Sequence, residues 1–464
     1  MFADGFKGLE GLAVRGGAVY AVTERLLGER ERQGTTLVRI PIEPDGDAGR
    51  LEVLVRGDVR DPVGLALDRL GAVFFTAERR REEDHRDDRG LILKWLPDGR
   101  LVTFATGLKD PRGLAFDAAG HLLAAESSDH HGRLLRFRAP LAPVFHHLPA
   151  FTNQSPFSVS GTTEPGARVD LFVNDAATAV TGFADAAGAF SLPVPLMPNA
   201  PTTVEGFATT RGGQGLTSSR SETTIVHDGI APTLSFQAPA GAYVRQAITV
   251  QAQGTDPRSG VASLALTVDG QTLPALIAPT LPAPTATAMA TWTTTLVPDG
   301  AHTLGATATD RAGNTATATR VVLVDNTPPD TQITDGPRGP INVAEVTFRF
   351  TGTDTLTSRE NLRFAWRLDG RAWSEFSAAA TATFAALALG PHLFEVTARD
   401  LAGNEDPTPA QASFTVGAGV IVAITSPTDG ATVPSGLLLV RGTVDAGGAE
   451  VGVTVNSIPA AVQG

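Results

Sequence analysis

The stretch GPHLFEVTARDLAGN, from Gly390 to Asn404, decides the fold of this chain. The same phrase stands ninety positions upstream as GAHTLGATATDRAGN, from Gly300 to Asn314. Apolar residues alternate along both copies, which is the period of a half-buried β-strand. The closing Asp-x-Ala-Gly-Asn predicts a tight turn, because aspartate accepts turn amides and glycine adopts positive φ freely. A strand–turn unit that recurs at this spacing predicts a tandem array of β-sandwiches.

The composition excludes several classes of protein. The 464 residues leave room for about three or four domains. The sequence has no cysteine, which excludes a disulfide framework, a thiolate zinc site and a thiol nucleophile. Its net charge of −12 argues against a nucleic-acid-binding surface. No run approaches about 18 apolar residues, so we expect no membrane insertion, and no signal peptide follows Met1.

Residues 1–139 carry a second kind of repeat. The phrase GLALD at Gly64 returns as GLAFD at Gly113, and a looser copy, GLAV, begins at Gly11. Each copy precedes a glycine and an apolar strand, AVYAV, AVFFT or HLLAA. Short antiparallel strands at this period, punctuated by glycine and proline, are typical of propeller blades.

These blades resemble the NHL-type and gluconolactonase-like propellers, which read roughly P-x-G-L-A-x-D-x-x-G-x-L-Y-V-A-[DE]. The resemblance implies about three blades in residues 1–139. Because a closed ring needs about four to eight blades, we expect the missing blades upstream of Met1. The alternative is a small open sheet assembly of three blades.

Three glutamates are the candidate metal ligands, since each ends the first strand of its blade: Glu24, Glu78 and Glu126. The resemblance to gluconolactonase-like propellers would make such acids ligands around one mouth of the channel. In NHL propellers without catalytic function, an acid at a similar place caps a turn. We predict the capping role, and therefore no metal site and no cofactor in this region.

Calcium at the sandwich junctions is a second metal hypothesis. Asp310, Asp325 and Asn326 could converge there, and Ca²⁺ requires about six to eight oxygen ligands. The alternative is turn capping by these side chains, which we expect because the sequence at the junctions lacks the dense acidic triplets that such sites show. No cofactor is therefore predicted, with calcium as the alternative.

Four segments follow the propeller-like region. The phrase SGTTEPGARVDLFVND, from Ser160, resembles the bacterial Ig-like domains of surface proteins. The phrase LGPHLFEVTARDLAGNEDPTPAQASFTV resembles a widespread bacterial Ig-like repeat, whose members often carry a cysteine pair flanking an L-D-G hairpin; the first of those positions is Trp366 here. Packing must therefore replace the cross-link. The predicted Ig-like domains are 140–229, 230–326, 327–417 and a truncated fourth, 418–464.

Other polar clusters are interpreted as structural. We predict that His302 and His392 make a hydrogen bond at the sandwich end, because two domains place the same residue at the same point. The doublets His130-His131 and His146-His147 are poor chelates, because adjacent strand residues point to opposite faces. Three segments are predicted to be loops: Glu24–Gln33, the charged Arg79–Arg89 and the glycine-rich Gly212–Leu216.

The predicted fold is all-β, a partial β-propeller followed by tandem Ig-like β-sandwiches. No catalytic signature is present, so no catalytic residue is assigned and a non-catalytic function is expected. We expect a secreted or cell-surface bacterial protein whose propeller recognises an unknown protein or carbohydrate ligand, with the Ig-like array as a spacer or adhesion stalk. The alternatives are a lactonase- or sugar-dehydrogenase-like propeller enzyme with an Ig-like appendage, and the stalk of a larger RHS-type surface protein.

Overall fold

The chain divides into two compact units, which are described separately. Unit 1 comprises residues 1–231 together with 311–314, and unit 2 comprises residues 232–310 and 315–464. In the part of the chain that the structure describes, regular structure is β-strand apart from short 3-10 turns at Arg211–Gly213, Thr294–Leu296 and Arg359–Asn361. The computed structural model describes residues 2–29, 35–57, 59–80, 90–127, 131–176, 178–419, 421–433, 435–436, 438–445, 452–455 and 458–461. The all-β prediction is confirmed for this part of the chain.

Unit 1 begins with three antiparallel sheets that follow one another along the chain. Their strand orders are β1-β2-β3-β4, β10-β9-β7-β6 and β11-β12-β13, with a small β5-β8 pair beside them. The strands are β1 (Phe6–Arg15), β2 (Ala18–Leu26), β3 (Thr35–Pro41), β4 (Glu52–Arg56), β5 (Val59–Arg60), β6 (Leu65–Leu67), β7 (Val73–Ala77), β8 (Arg79–Arg80), β9 (Gly90–Trp95), β10 (Leu101–Leu108), β11 (Pro111–Phe116), β12 (Leu122–Glu126) and β13 (Arg133–Phe137). The predicted apolar strands of the three repeats are β2, β7 and β12.

The middle sheet packs both of its faces. Alternate residues of β7 point to opposite sides: Phe75 packs with Val22 of the first sheet, and Phe74 packs with Leu122 of the third. All five residues of β7 are buried. A strand that is apolar on both faces is therefore explained by a sheet on either side.

Two of the predicted loops lie only partly within the described residues. Residues 30–33 of the first, Glu24–Gln33, and residues 81–89 of the second, Arg79–Arg89, lie outside them. The part of the second that is described forms β8, which pairs with β5.

The rest of unit 1 is the first sandwich. Its sheets have the orders β14-β16-β19 and β15-β21-β20-β17-β18. Their inner faces meet in one core, in which Val159 and Leu192 of one sheet pack with Leu171 and Val204 of the other. The strands are β14 (Val144–Phe145), β15 (Phe151–Thr152), β16 (Phe157–Thr162), β17 (Arg168–Val173), β18 (Val180–Phe183), β19 (Ala189–Val194), β20 (Pro201–Thr209) and β21 (Ser221–His227).

The glycine-rich loop 212–216 of the first sandwich buries a lysine of the second N-terminal sheet. Lys94 is 1% exposed, and its ammonium group donates to the carbonyl oxygens of Gly215 (2.7 Å) and Gly213 (3.3 Å). The carboxylate of Asp68 lies 3.8 Å from the ammonium nitrogen and accepts a hydrogen bond from Thr217. Burial lowers the pKa of Lys94, and Asp68 partly offsets this. The loop was predicted correctly, but its packing role is not visible in the sequence.

Unit 2 contains the second sandwich, with sheet orders β22-β24-β28-β27 and β23-β30-β29-β25-β26. Its strands are β22 (Thr233–Ala238), β23 (Tyr243–Val244), β24 (Ala247–Thr255), β25 (Val261–Val268), β26 (Gln271–Leu273), β27 (Leu276–Ala278), β28 (Thr285–Thr293), β29 (Gly300–Asp310) and β30 (Thr315–Val324). Antiparallel pairing of β29 with β30 runs from Gly300 to Thr309 without a break.

The third sandwich repeats this plan with sheet orders β31-β33-β35 and β32-β37-β36-β34. Its strands are β31 (Asp330–Asp335), β32 (Gly339–Ile341), β33 (Val346–Thr353), β34 (Arg363–Leu368), β35 (Thr381–Phe384), β36 (Gly390–Arg399) and β37 (Ala410–Val416). The two in-register phrases are thus β29 and β36, each followed by a turn and placed in separate sandwiches, as predicted. Gly313 and Gly403 at these turns have φ of 94° and 90°.

Beyond β37 the described residues form two hairpins. They pair β38 (Ile421–Ser426) with β39 (Arg441–Asp445), and β40 (Val453–Val455) with β41 (Ile458–Ala460). The predicted fourth Ig-like domain, 418–464, is only partly described, and its sandwich stays a prediction.

Candidate metal centre

The second and third sandwiches each contain an equivalent histidine–aspartate pair. The histidine lies near the start of β29 or β36, and the aspartate lies in the turn after β25 or β34. His302 Nδ1 lies 2.6 Å from Asp269 Oδ2, and its Nε2 lies 2.9 Å from the carbonyl oxygen of Pro298. His392 repeats the arrangement with Asp369 Oδ2 (2.8 Å) and the carbonyl oxygen of Ala388 (2.9 Å). The predicted structural role of both histidines is confirmed.

The hydrogen bonds of these pairs favour the protonated form of each histidine. Both ring nitrogens face oxygen acceptors, and only a protonated imidazole donates from both. Burial lowers the pKa of His302, but the hydrogen bonds with Asp269 and the Pro298 carbonyl outweigh it and the pKa is raised. The hydrogen bonds to the Ala388 carbonyl and to Asp369 raise the pKa of His392. The histidines are therefore occupied by the turn and are not available as metal ligands.

Unit 2 also brings three aspartates together where three strands end. Asp325 follows β30, Asp354 follows β33 and Asp400 follows β36. One carboxylate oxygen of each lies within 4.8 Å of the others. The second sandwich thus supplies one acid and the third sandwich two, at the point where residues 325–329 connect the sandwiches.

Two of the aspartates are positioned by their own turns. Asp400 Oδ1 accepts a hydrogen bond from the amide of Asn404 (2.7 Å), and its Oδ2 accepts one from the side-chain amide of Asn404 (2.7 Å). Asp354 Oδ1 accepts hydrogen bonds from the amides of Leu356 (2.9 Å) and Thr357 (2.6 Å). The predicted amide-accepting role of Asp400 is confirmed, while Asp354 Oδ2 is buried without a hydrogen-bond partner among the described residues.

Asp325 differs from the other two because its carboxylate is not held by hydrogen bonds of its own turn among the described residues. The residue has no exposed surface, and neither carboxylate oxygen makes a hydrogen bond of normal geometry within the described chain. Burial, followed by the charges of Asp354 and Asp400, raises the pKa of Asp325 to about 6, although the Thr327 amide acts in the opposite direction. Its main-chain carbonyl, in contrast, accepts a hydrogen bond from Asn404 (2.8 Å).

No described cation compensates the three carboxylates. None of the ion pairs formed by the described lysines, arginines and histidines includes Asp325, Asp354 or Asp400. Arg245 comes near, but its guanidinium donates to the side-chain oxygen of Asn404 (3.4 Å). Like charges held close in a buried site disfavour one another, so the cluster is costly without a positive partner.

The sequence-based calcium hypothesis grouped Asp310, Asp325 and Asn326. Asp325 does enter a cluster of acids, but among the described residues Asp310 does not belong to the same group. Asn326 instead accepts hydrogen bonds from the amide of Gln246 (2.8 Å) and the hydroxyl of Thr294 (3.1 Å). The sequence indicates Asn326 because it is adjacent to Asp325. It does not indicate Asp354, which follows another strand, β33.

The missed residue nevertheless has a sequence signal. Gly352-Thr-Asp354 repeats Gly254-Thr-Asp256, and both aspartates follow the second long strand of their sandwich. Asp256 Oδ1 likewise accepts three turn amides, those of Arg258, Ser259 and Gly260. As a sequence pattern, the three acids therefore recur in the preceding repeat.

The three candidate glutamates of unit 1 have different surroundings. Glu126 is buried; its Oε1 accepts a hydrogen bond from the amide of Lys109 (2.9 Å) and its Oε2 one from Nε of Arg133 (2.9 Å). Glu24 and Glu78 are exposed. Desolvation and the neighbouring Asp61 raise the pKa of Glu78.

These glutamates do not form one of the groups of three close ligands found in the described residues. The same holds for His131, His146 and His147, whereas His130 lies outside the described residues. Turn capping by Glu24, Glu78 and Glu126 stays a prediction, as does the absence of a cofactor there.

Comparison with known proteins bears on the sandwiches. The family described as Bacterial Ig domain matches residues 232–306, which lie in the second sandwich. No curated protein matches the chain. Within the described residues, no helix is long and apolar enough to cross a membrane.

Three solved structures are similar to the chain, all with low TM-scores. The fibronectin(III)-like modules of Clostridium thermocellum CbhA share 18% identity over 40% of this chain and 94% of that one, with a TM-score of 0.29. A tetra-tandem repeat in the extending region of a large adhesion protein shares 15% identity over 89% and 100%, with a TM-score of 0.25. The ICAM-5 D1–D4 ectodomain fragment shares 16% identity over 89% and 96%, with a TM-score of 0.29. Its own sheets and the family match show that the chain contains tandem Ig-like β-sandwiches, which follow three antiparallel sheets in the sequence.

Proposed function

We propose that this protein is a non-catalytic, extracellular or cell-surface bacterial protein in which the Ig-like array is a spacer. The observation that carries the proposal is the connection between the second and third sandwiches. Only residues 325–329 separate β30 from β31, and the side chain of Asn404 donates to the carbonyl oxygen of Asp325 at the start of that connection (2.8 Å). A short connection fixed by a hydrogen bond limits bending between neighbouring sandwiches.

The family match supports a surface location. Bacterial Ig-like repeats are the class of domain that the sequence phrases resemble, and residues 232–306 match that family. Each complete sandwich has its own core, made by the inner faces of two sheets. An array of such units supplies length without requiring chemistry.

The recognition function is proposed for the three N-terminal sheets. Successive antiparallel sheets that pack face to face, as the first, second and third do around Phe75 and Phe74, are the arrangement expected of propeller blades. We propose that they are part of a β-propeller of the NHL type and that it binds a protein or carbohydrate ligand.

The location is tested on intact cells that produce the protein. An antibody raised against the full chain is expected to label intact cells, and external protease is expected to remove the signal. Labelling that appears only after lysis would contradict the surface assignment.

The non-catalytic assignment is tested separately with the purified full chain. Lactone hydrolysis and sugar oxidation are expected to proceed at the rate measured in buffer alone. In a separate binding assay, the full chain is expected to bind ligands on glycan or extracellular-protein arrays. Turnover that disappears in the Glu78→Gln variant and persists in Glu52→Gln, an exposed glutamate of the first sheet, would establish the enzyme instead.

A further inference from the structure

We propose that Asp325, Asp354 and Asp400 form a calcium site that joins the second sandwich to the third. The inference goes beyond a spacer function, because it assigns a ligand to the connection itself. It is independent of what the N-terminal sheets recognise.

The first argument is the geometry of the three carboxylates. Two oxygens bound to one Ca²⁺ at about 2.3–2.6 Å are at most about 5 Å apart. One oxygen from each of the three aspartates lies within 4.8 Å of the others, which meets this condition. The acids come from three different strand ends, so the fold itself brings them together.

The second argument is the unpartnered carboxylate of Asp325. A buried charge without a hydrogen bond or an opposite charge is strongly unfavourable. Asp325 is completely buried, and both of its oxygens lack a hydrogen-bond partner among the described residues. Oδ2 of Asp354, an aspartate of the same close group, is unpartnered in the same way. Buried carboxylate oxygens without a described hydrogen-bond partner, on two of three aspartates that lie close together, are explained by a cation that they bind.

A buried aspartate elsewhere in the third sandwich, Asp406, shows that unpartnered carboxylate oxygens are not general in this sandwich. Asp406 is 5% exposed in the same sandwich, but both of its oxygens are used. Its Oδ2 accepts the amide of Thr331 (2.9 Å), and its Oδ1 accepts the amide and the hydroxyl of Thr408 (2.8 and 2.9 Å). A buried aspartate with a purely structural role is therefore fully hydrogen-bonded by the protein in this sandwich.

The chemistry of the oxygens selects the cation. The cluster supplies carboxylates and no imidazole or thiolate, which suits a hard cation rather than zinc. Calcium accepts irregular oxygen sets completed by water or main-chain carbonyls, whereas magnesium requires near-octahedral geometry at shorter distances. The ion would supply the positive charge that the described side chains do not.

The expected consequence is a stiffer connection. Asp325 belongs to the end of β30, while Asp354 and Asp400 belong to turns of the third sandwich. A shared ion would fix the start of residues 325–329 to both turns, in addition to the hydrogen bond from Asn404. Amides of this connection and of the turn after β36 should then exchange more slowly with calcium present.

The test measures calcium bound per full-length chain by equilibrium dialysis after treatment with a chelator, up to about 10 mM free calcium. The wild-type chain is expected to bind one ion more than Asp325→Asn, and one more than Asp354→Asn. The matched control is Asp406→Asn, a buried aspartate of the same sandwich whose oxygens are all hydrogen-bonded; it is expected to keep the wild-type number. Equal numbers in wild type and Asp325→Asn, or no binding at all, would overturn the proposal.

A thermal readout keeps the test decisive if a variant folds poorly. Without calcium, Asp325→Asn should melt at or above the wild-type temperature, because it removes an uncompensated buried charge. Calcium should raise the melting temperature of the wild type and of the control Asp335→Asn, an exposed acid at the end of β31, but raise that of Asp325→Asn less. An equal calcium shift in Asp325→Asn and wild type would contradict the site, and an equal effect of magnesium on the wild type would contradict the choice of calcium.

Discussion

The core of the second sandwich is built largely from alanine and valine, whereas the core of the third is built around phenylalanine. Six alanines and no phenylalanine belong to the buried cluster of the second, against five phenylalanines in that of the third. Both nevertheless pair the equivalent strands, β29 with β25 and β30, and β36 with β34 and β37. The strand period and the turn residues therefore specify the fold, and the volume of the core side chains is a separate variable.

The equivalent residues Leu304 and Phe394 show this most directly. Both are completely buried, and they stand ninety positions apart in the two repeated phrases. The ring of Phe394 stacks on Phe348 with the centroids 4.0 Å apart and an interplanar angle of 7°. Leu304 packs among residues such as Ala306 instead.

The largest expected effect is that of Phe394→Ala. It should lower the free energy of unfolding of the third sandwich by about 3–5 kcal/mol, because it leaves a cavity in an aromatic cluster. Hydrogen exchange followed by mass spectrometry on the full chain should show the loss in β36 and β37. Leu304→Ala is the matched variant, with about 2–5 kcal/mol lost from the second sandwich. Equal loss of protection in both sandwiches from either variant would mean that the two unfold together.

The second prediction places a residue of the third sandwich into the second. Ala306 is equivalent to Val396, and both are almost completely buried. Ala306→Val should destabilise the second sandwich by about 1–3 kcal/mol, because added methyl groups overpack a core fitted to alanine. Denaturant-dependent hydrogen exchange of β29 measures this. A neutral or stabilising result would show spare volume in that core and would weaken the comparison.

The third prediction concerns the histidine–aspartate pairs, which the two sandwiches share. The raised histidine pKa values add stability that is complete below the ordinary value of 6.5 and is lost as the pH rises through the raised value. The Thr303 amide and His302 lower the pKa of Asp269, while hydrogen bonds from His392 and the Leu393 amide outweigh burial and lower that of Asp369. The aspartates therefore add stability that is complete above pH 3.8, their ordinary pKa, and is lost as the pH falls through the lowered pKa values. The pairs contribute fully between pH 3.8 and 6.5.

The variants Asp269→Asn and Asp369→Asn test this window. Each should cost about 1 kcal/mol near pH 6, because one charge-assisted hydrogen bond is lost at a partly exposed site. NMR titration should place both wild-type histidines above the ordinary pKa of 6.5, and the partner of the changed aspartate should move down. Histidines that titrate at the same pH in wild type and variant would rule out the proposed pairing.

The smallest effects should come from threonine pairs on exposed strands. The hydroxyls of Thr255 and Thr285 lie 3.2 Å apart in the second sandwich, and those of Thr347 and Thr383 lie 2.9 Å apart in the third. Thr285→Ala and Thr383→Ala should each lower the free energy of unfolding of their sandwich by about 0.2–1 kcal/mol. The two losses should be similar, because cross-strand pairs on the surface do not depend on the core. A clearly larger cost in one sandwich would show that its core does influence its surface.

The sequence predicts what is encoded locally. Alternation in the two repeated phrases predicts β29 and β36, and Asp400 with Gly403 predicts the turn that follows β36. The structural function of His302 and His392 also follows from sequence, because repetition at one point of two domains indicates a requirement of the fold.

Contacts between distant segments are what the sequence did not predict. Asp325 and Asp354 lie on different strands, and only the packed sandwich brings their carboxylates together. Lys94 is buried by the carbonyl oxygens of Gly213 and Gly215, about 120 residues further along the chain. Trp366 packs against Phe350 with ring centroids 5.5 Å apart. Such pairs depend on tertiary packing and leave no periodic trace.

The hydrogen bond from Asn404 to the carbonyl of Asp325 has a consequence for how such arrays grow. One partner is a main-chain oxygen at the end of one sandwich, and the other is a turn side chain of the next. By sequence, Asp228 and Asn314 stand at the equivalent positions of the preceding repeat. By this equivalence the second sandwich carries both halves of the joint: Asn314 as the counterpart of the donor, and the main-chain carbonyl of Asp325 as the acceptor. A gene duplication that copies one whole repeat would copy both halves of the joint, so we expect the array to lengthen or shorten by whole repeats without any new residue being needed.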